Sequence, residues 1–341
     1  MRRTRLYVLP MLAALVSSPA RAQTQPQTPS QNLSPEGRAD DEALRALANS
    51  IPLLPVERIE LKVNPPMALV GYSAAAADKR GNIYVIHRPT DANVDPIVVL
   101  DSKGNLLRSW GKGMYTIPHG IRIDPAGNVW TVDAHTSMIF KFTPEGKKLL
   151  EIRVGDIPDA SLPFCGATDV TFGTNGHIYV SDGYCNSRFL EYAADGKKVR
   201  EWGRLATSPI DAFRRRQSGA DPGEFRNAHD ISMGRDGILY VADRQNGRLQ
   251  WFDKDGKYLG EKKFGGLLFS VAHSPPGDLY LGTEPRDGKD SFIFKFDPKS
   301  GKILGKIEAA PAHQLSVAPD GTLLPGTRLN STSVLLFRPL N

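Results

Sequence analysis

The chain repeats itself, and the repeat decides what it can fold into. The unit reads as an apolar strand, an Asp-x-x-Gly turn, an apolar strand ending near aspartate, a short loop, an aromatic-rich strand, a Gly-Lys turn and a last strand. It recurs six times, its first strand and turn lying at 72–81, 119–127, 169–176, 229–237, 270–277 and 313–321. The turn glycines Gly81, Gly127, Gly176, Gly237, Gly277 and Gly321 are 40 to 61 residues apart. Within a unit the residues alternate with period two, as in Gly127-Asn128-Val129-Trp130-Thr131-Val132-Asp133. Third strands end on aromatics, as in Ile139-Phe140-Lys141-Phe142 and Leu249-Gln250-Trp251-Phe252. Asp195-Gly196-Lys197 and Asp255-Gly256-Lys257 mark hairpins. Four short antiparallel strands per unit and six units predict an all-β, six-bladed propeller. The sixth unit stops after its third strand, near Leu335, and a strand around 58–63 is placed to complete it. An open solenoid would leave sheet edges bare at both ends.

The propeller is expected to fill residues 51–341. Met1 to Arg5 carries three arginines, an apolar run follows from Leu6 to Val16, and Ala20-Arg21-Ala22 closes the segment. This is the pattern of a signal peptide over 1–22, and it predicts a secreted or periplasmic protein. The apolar run is too short for a bilayer span. Residues 23–50 are rich in Gln, Pro, Ser and Ala and read as a disordered leader. Loss of Arg2, Arg3, Arg5 and Arg21 with the leader lowers the formal charge from +6 to about +2. So balanced a chain gives no case for nucleic-acid binding. The basic run Arg214-Arg215-Arg216 sits in a polar insertion and reads as a solvated loop. A monomer is expected.

Alignment on the turn glycines gives one register to the residue that opens each innermost strand. The occupants are Ser73 or a neighbour, His119, Thr168, His229, Phe269 and His313. The histidines belong to units two, four and six. Blades of a six-fold ring stand about 60° apart, so three imidazoles from alternate blades converge on the axis. Three neutral histidines with an open fourth position suit catalytic zinc, although imidazole serves several divalent ions. The other four histidines (His87, His135, His177 and His273) fall at other registers.

In an antiparallel blade the start of the first strand and the end of the second share a face. Arg88, Tyr184 and Arg244 are therefore expected beside the metal. Two arginines near a cation call for an anionic partner, and guanidinium suits a carboxylate; pairing with Asp133, Asp182 or Asp243 is the alternative. Cys165 and Cys185 flank the first two strands of unit three, on the same face. An exported chain favours a disulfide between them, and their spacing is not that of a Cys-x-x-Cys metal site.

These residues resemble the peptidyl-α-hydroxyglycine α-amidating lyase family, the lyase domain of peptidylglycine α-amidating monooxygenase, an NHL-repeat propeller. The resemblance runs from about Ala74 to Phe296. It is carried by Phe164-Cys165-Gly166-Ala167-Thr168-Asp169-Val170, by Val180-Ser181-Asp182-Gly183-Tyr184-Cys185-Asn186-Ser187-Arg188 and by Val241-Ala242-Asp243-Arg244-Gln245-Asn246-Gly247-Arg248. It implies zinc on His119, His229 and His313, a catalytic tyrosine at Tyr184, active-site arginines at Arg88 and Arg244, and a Cys165–Cys185 disulfide. It also implies a structural calcium in the channel on the backbone carbonyls of Ala75 and Ile121. The family's aspartate ligand is replaced by Gln314, which supplies no charge. The expected reaction is cleavage of a peptidyl or N-acyl α-hydroxyglycine to an amide and glyoxylate, the substrate being a small molecule or peptide with a carboxylate. No monooxygenase segment precedes the propeller, so the hydroxylated substrate is expected from elsewhere. Two other readings stay open: a periplasmic binding or scaffold propeller with a retained metal site, and a different metal-dependent reaction such as lactone hydrolysis.

Overall fold

A computed structural model describes residues 33–155, 157, 160–205, 221–274 and 276–340. The signal peptide, the start of the leader and the Arg214-Arg215-Arg216 run lie outside the described residues.

The six units fold as six four-stranded antiparallel sheets. The innermost strands are Ala74–Ala77, Pro118–Ile123, Asp169–Phe172, Ala228–Met233, Leu267–His273 and Leu315–Val317, in blades one to six. They touch one another in ring order. The Asp-x-x-Gly turns form for a local reason. The Asp78 carboxylate accepts the N–H groups of Arg80 (2.8 Å) and Asn82 (2.9 Å), while Gly81 supplies a backbone angle of φ +82° that other residues rarely adopt. Asp124 and Asn128 repeat the arrangement in blade two.

Blades pack face to face, so middle strands are buried on both sides. Val129–Asp133 is buried throughout, whereas the outermost strand of the same blade, Lys148–Arg153, alternates. Among the described residues six apolar clusters fill the seams, one between each pair of neighbouring blades. Strand β1 (Val56–Lys62) closes the ring as the fourth strand of blade six. It pairs antiparallel with Ser333–Pro339, from Val56 opposite Pro339 to Lys62 opposite Ser333. No helix among the described residues is long and apolar enough to cross a membrane.

The leader needs a correction. Residues 23–50 read as disordered, yet Pro35–Ser50 form helix α1. Ser34 caps it by accepting the Gly37 N–H at 3.2 Å, and Pro35 fills the first turn. Leu44 and Ala48 lie one turn apart and enter the seam between blades four and five, fully buried. Asp41 accepts the N–H of Arg286 at 2.8 Å, and Arg45 pairs with Asp287 and Asp290 at 2.7 Å each. Polar composition hid the helix because its apolar stripe is only three residues, Leu44, Leu47 and Ala48. The Leu44→Ala variant should lose about 2–4 kcal/mol in a urea melt, the cost of a buried cavity; a disordered leader would give no loss.

Candidate metal centre

His119, His229 and His313 meet on the axis. Their candidate ligand atoms lie within 4.8 Å of one another, and all three are buried. A bulge between Pro118 and Gly120 turns His119 out of the ladder, and one between Ala228 and Asp230 does so for His229.

The orientation of the rings is set by the next blade round. His119 Nδ1 donates to the Thr168 carbonyl (2.8 Å), His229 Nδ1 to that of Phe269 (2.8 Å) and His313 Nδ1 to that of Ser73 (3.2 Å). A carbonyl only accepts, so each Nδ1 carries the proton and each Nε2 keeps its lone pair. Burial pushes all three well below the usual imidazole range, with Arg88 and Arg244 among the nearby cations that add to this. The rings are therefore neutral at pH 7, as metal ligands must be. His313 Nε2 has no hydrogen-bond partner although it is buried. Three convergent lone pairs, one of them orphaned, fit a divalent ion such as zinc.

Tyr184 shares the same space. Its hydroxyl lies 2.8 Å from His119 Nε2 and 3.3 Å from His229 Nε2. Burial pushes the phenol up, and the positive charges of Arg244, Arg88 and Arg328 oppose it. Gly183 puts it there, for any side chain at 183 would run into the backbone of Ala228 in blade four. Cys165 and Cys185 form a disulfide, which ties the approach to blade three to the loop after its second strand.

Arg88 and Arg244 flank the phenol. Arg244 lies over the rings of Tyr184 (5.8 Å) and Phe269 (5.0 Å), and Arg88 over Phe164 (5.4 Å), which packs on Tyr184. Arg88 Nε donates to the Pro118 carbonyl at 2.9 Å. Burial pulls its pKa down to about 10, still far above neutrality. Arg88 Nη2, Arg244 Nε and Arg244 Nη1 are buried without a hydrogen-bond partner. The alternative of pairing with blade aspartates does not hold. Asp182 pairs with Arg188 and Asp243 with Arg248, while Asp133 is taken up by backbone N–H groups. Among the described residues no carboxylate lies within ion-pair distance of Arg88 or Arg244.

Two more residues of this face escaped the sequence reading. Arg328 lies 4.5 Å over Phe269 and binds Glu284 through Nη2 at 2.7 and 2.9 Å. Arg88, Arg244, Glu284 and Arg328 each stand seven residues beyond their turn glycine. That shared offset would have found the missing pair.

Deeper in the channel, Arg122 reaches across. Its guanidinium donates to Asp169 (2.9 and 2.6 Å), to Asp230 (2.9 Å), to Ser316 Oγ (2.8 Å) and to the Leu315 carbonyl. Gln314 donates from Nε2 to the Thr168 carbonyl at 3.0 Å, and its amide packs over Gly120. Ala75 and Ile121 are buried on the innermost strands of blades one and two.

The chain is similar to several known proteins. The NHL repeat matches residues 164–192 and 225–252. Peptidyl-glycine alpha-amidating monooxygenase A of Xenopus laevis is 31% identical over 305 residues, covering 78% of this chain and 31% of that protein. A probable peptidyl-alpha-hydroxyglycine alpha-amidating lyase of Caenorhabditis elegans is 29% identical, over 81% of this chain and 85% of its own. Peptidyl-alpha-hydroxyglycine alpha-amidating lyase 1 of Drosophila melanogaster is 27% identical, over 78% and 56%.

The chain is similar, over most of its length, to peptidyl-α-hydroxyglycine α-amidating lyases.

The chain spans about a third of the length of the monooxygenase relatives it matches. A streptogramin B lyase structure shares the propeller fold, with a TM-score of 0.56 at 16% identity, over 83% of this chain and 98% of that one. Gly183→Ala should lower stability by about 1–3 kcal/mol in chemical denaturation, since the added methyl must displace a neighbouring blade. Unchanged stability would mean that blades three and four are not in contact there.

Proposed function

We propose that the protein is a zinc-dependent lyase that splits a peptidyl or N-acyl α-hydroxyglycine into an amide and glyoxylate. One observation carries the reading most: two buried guanidinium groups with idle N–H donors stand beside a phenol and three neutral imidazoles. Buried donors without partners are costly unless a ligand satisfies them. Their charge and fork geometry suit a carboxylate, which an α-hydroxyglycine carries next to its reacting carbon.

His119, His229 and His313 would hold the metal, and the chemistry that zinc supplies when bound is Lewis-acid polarisation of an oxygen, with a lowered pKa. Arg88 and Arg244 bind the substrate carboxylate and orient the carbinol carbon. Tyr184 is the base, within reach of the histidine nitrogens and surrounded by three guanidinium groups that favour the phenolate. It takes the proton of the carbinol hydroxyl. The C–O bond becomes the aldehyde C=O, the C–N bond breaks with its electron pair going to nitrogen, and nitrogen takes up a proton to give the amide. Arg88 also contributes to catalysis through its charge near the phenol. The disulfide supports residence in an oxidising compartment, secreted or periplasmic, and the substrate is taken as a small molecule or peptide.

Metal analysis of the purified protein should return one zinc per chain, and the zinc-loaded protein should release glyoxylate from α-hydroxyhippurate; no release would refute the reading. Tyr184→Phe should lower kcat by about 10²–10⁴-fold while metal content stays the same. Arg244→Gln should act mainly on KM, raising it by roughly 10- to 100-fold, the worth of a charged hydrogen bond.

A further inference from the structure

The resemblance implies a calcium ion in the channel, but the residues at that depth do not fit one. Calcium takes six to eight oxygen ligands and needs negative charge from carboxylates. The side chain at the family's acidic position is the neutral Gln314. Asp169, Oδ1 of Asp230, the Leu315 carbonyl and Ser316 Oγ are already engaged by a cation of the chain itself, whereas Gln314 Oε1 and Asp230 Oδ2 have no partner. Arg122 itself follows Ile121, and its guanidinium bonds the carbonyl of Leu315, which follows Gln314.

We propose that Arg122 is a built-in cation that takes the place of channel calcium and frees this propeller from the need for that metal. The guanidinium does the work expected of such an ion. From blade two it binds Asp169 of blade three, Asp230 of blade four, and the Leu315 carbonyl and Ser316 hydroxyl of blade six. One side chain thus links four of the six innermost strands.

The sequence makes room for it. Aligned on the turn glycines, the register of Arg122 is otherwise Ala76, Thr171, Ser232, Ala272 and Ser316, all small. The register of Gln314 contains Asp169 and Asp230, the two acids that meet Arg122. This inference is independent of the lyase reading.

The test uses the full chain with zinc added throughout. Radioactive calcium is offered by equilibrium dialysis in calcium-depleted buffer, and thermal melts are run with and without about 5 mM calcium chloride, several-fold above the dissociation constants of the weakest extracellular sites. The wild type should bind no stoichiometric calcium and melt at the same temperature in both buffers. Arg122→Ser leaves two buried carboxyl groups without their cation, and its Tm should fall by roughly 10 °C. Added calcium should restore much of that loss. A wild-type chain that takes up one calcium and melts higher with it would overturn the proposal, even if the variant failed to fold. So would an Arg122→Ser protein with the wild-type Tm, or one that calcium leaves unrescued.

Discussion

Three N–H···O bonds between neighbouring blades govern the centre of this molecule. Each passes from an imidazole Nδ1 to a carbonyl of the next blade: His119 to Thr168, His229 to Phe269 and His313 to Ser73. They fix the tautomer, so that every Nε2 lone pair faces the axis. They also make the site a property of the ring, since none of the three blades can orient its own histidine. The apolar seams hold adjacent blades at the spacing that these bonds require. The bond from His313 to Ser73 crosses the seam between the last blade and the first, so it depends on β1 pairing with the final strand.

The centre is divided by charge. Near the metal face no carboxylate among the described residues pairs with Arg88 or Arg244, and Arg88 Nη2, Arg244 Nε and Arg244 Nη1 have no hydrogen-bond partner. Arg328 on the same face is matched by Glu284, and Arg122 below is matched by Asp169 and Asp230. The matched cations hold structure. The unmatched ones carry a standing electrostatic cost that an anionic ligand would remove. The same positive field opposes the effect of burial on Tyr184 and helps to keep the histidines neutral.

Much of this was legible in the sequence because a propeller turns register into geometry. Once the turn glycines are aligned, His119, His229 and His313 must share a level, and Arg88, Tyr184 and Arg244 must share a face. Glu284 of blade five and Arg328 of blade six obey the same rule, at the same offset from their turn glycines. Arg122 was missed for a different reason. Its partners Asp169, Asp230, Leu315 and Ser316 come from three other units, and a pattern read along one strand cannot register contacts across a channel. The helix at 35–50 went unread because its stability comes from docking: Asp41 and Arg45 grip the blade-five loop, and Leu44 fills a seam.

The closing strand has a consequence for how a metal would be acquired at this site. Ser73 is made early and His313 more than two hundred residues later, so a growing chain can hold at most two of the ligands in position. Two imidazoles grip a divalent ion far less well than three. Capture of an ion on all three imidazoles would thereby wait until the first and last blades have met, and a ring left unsealed would present no complete three-histidine site.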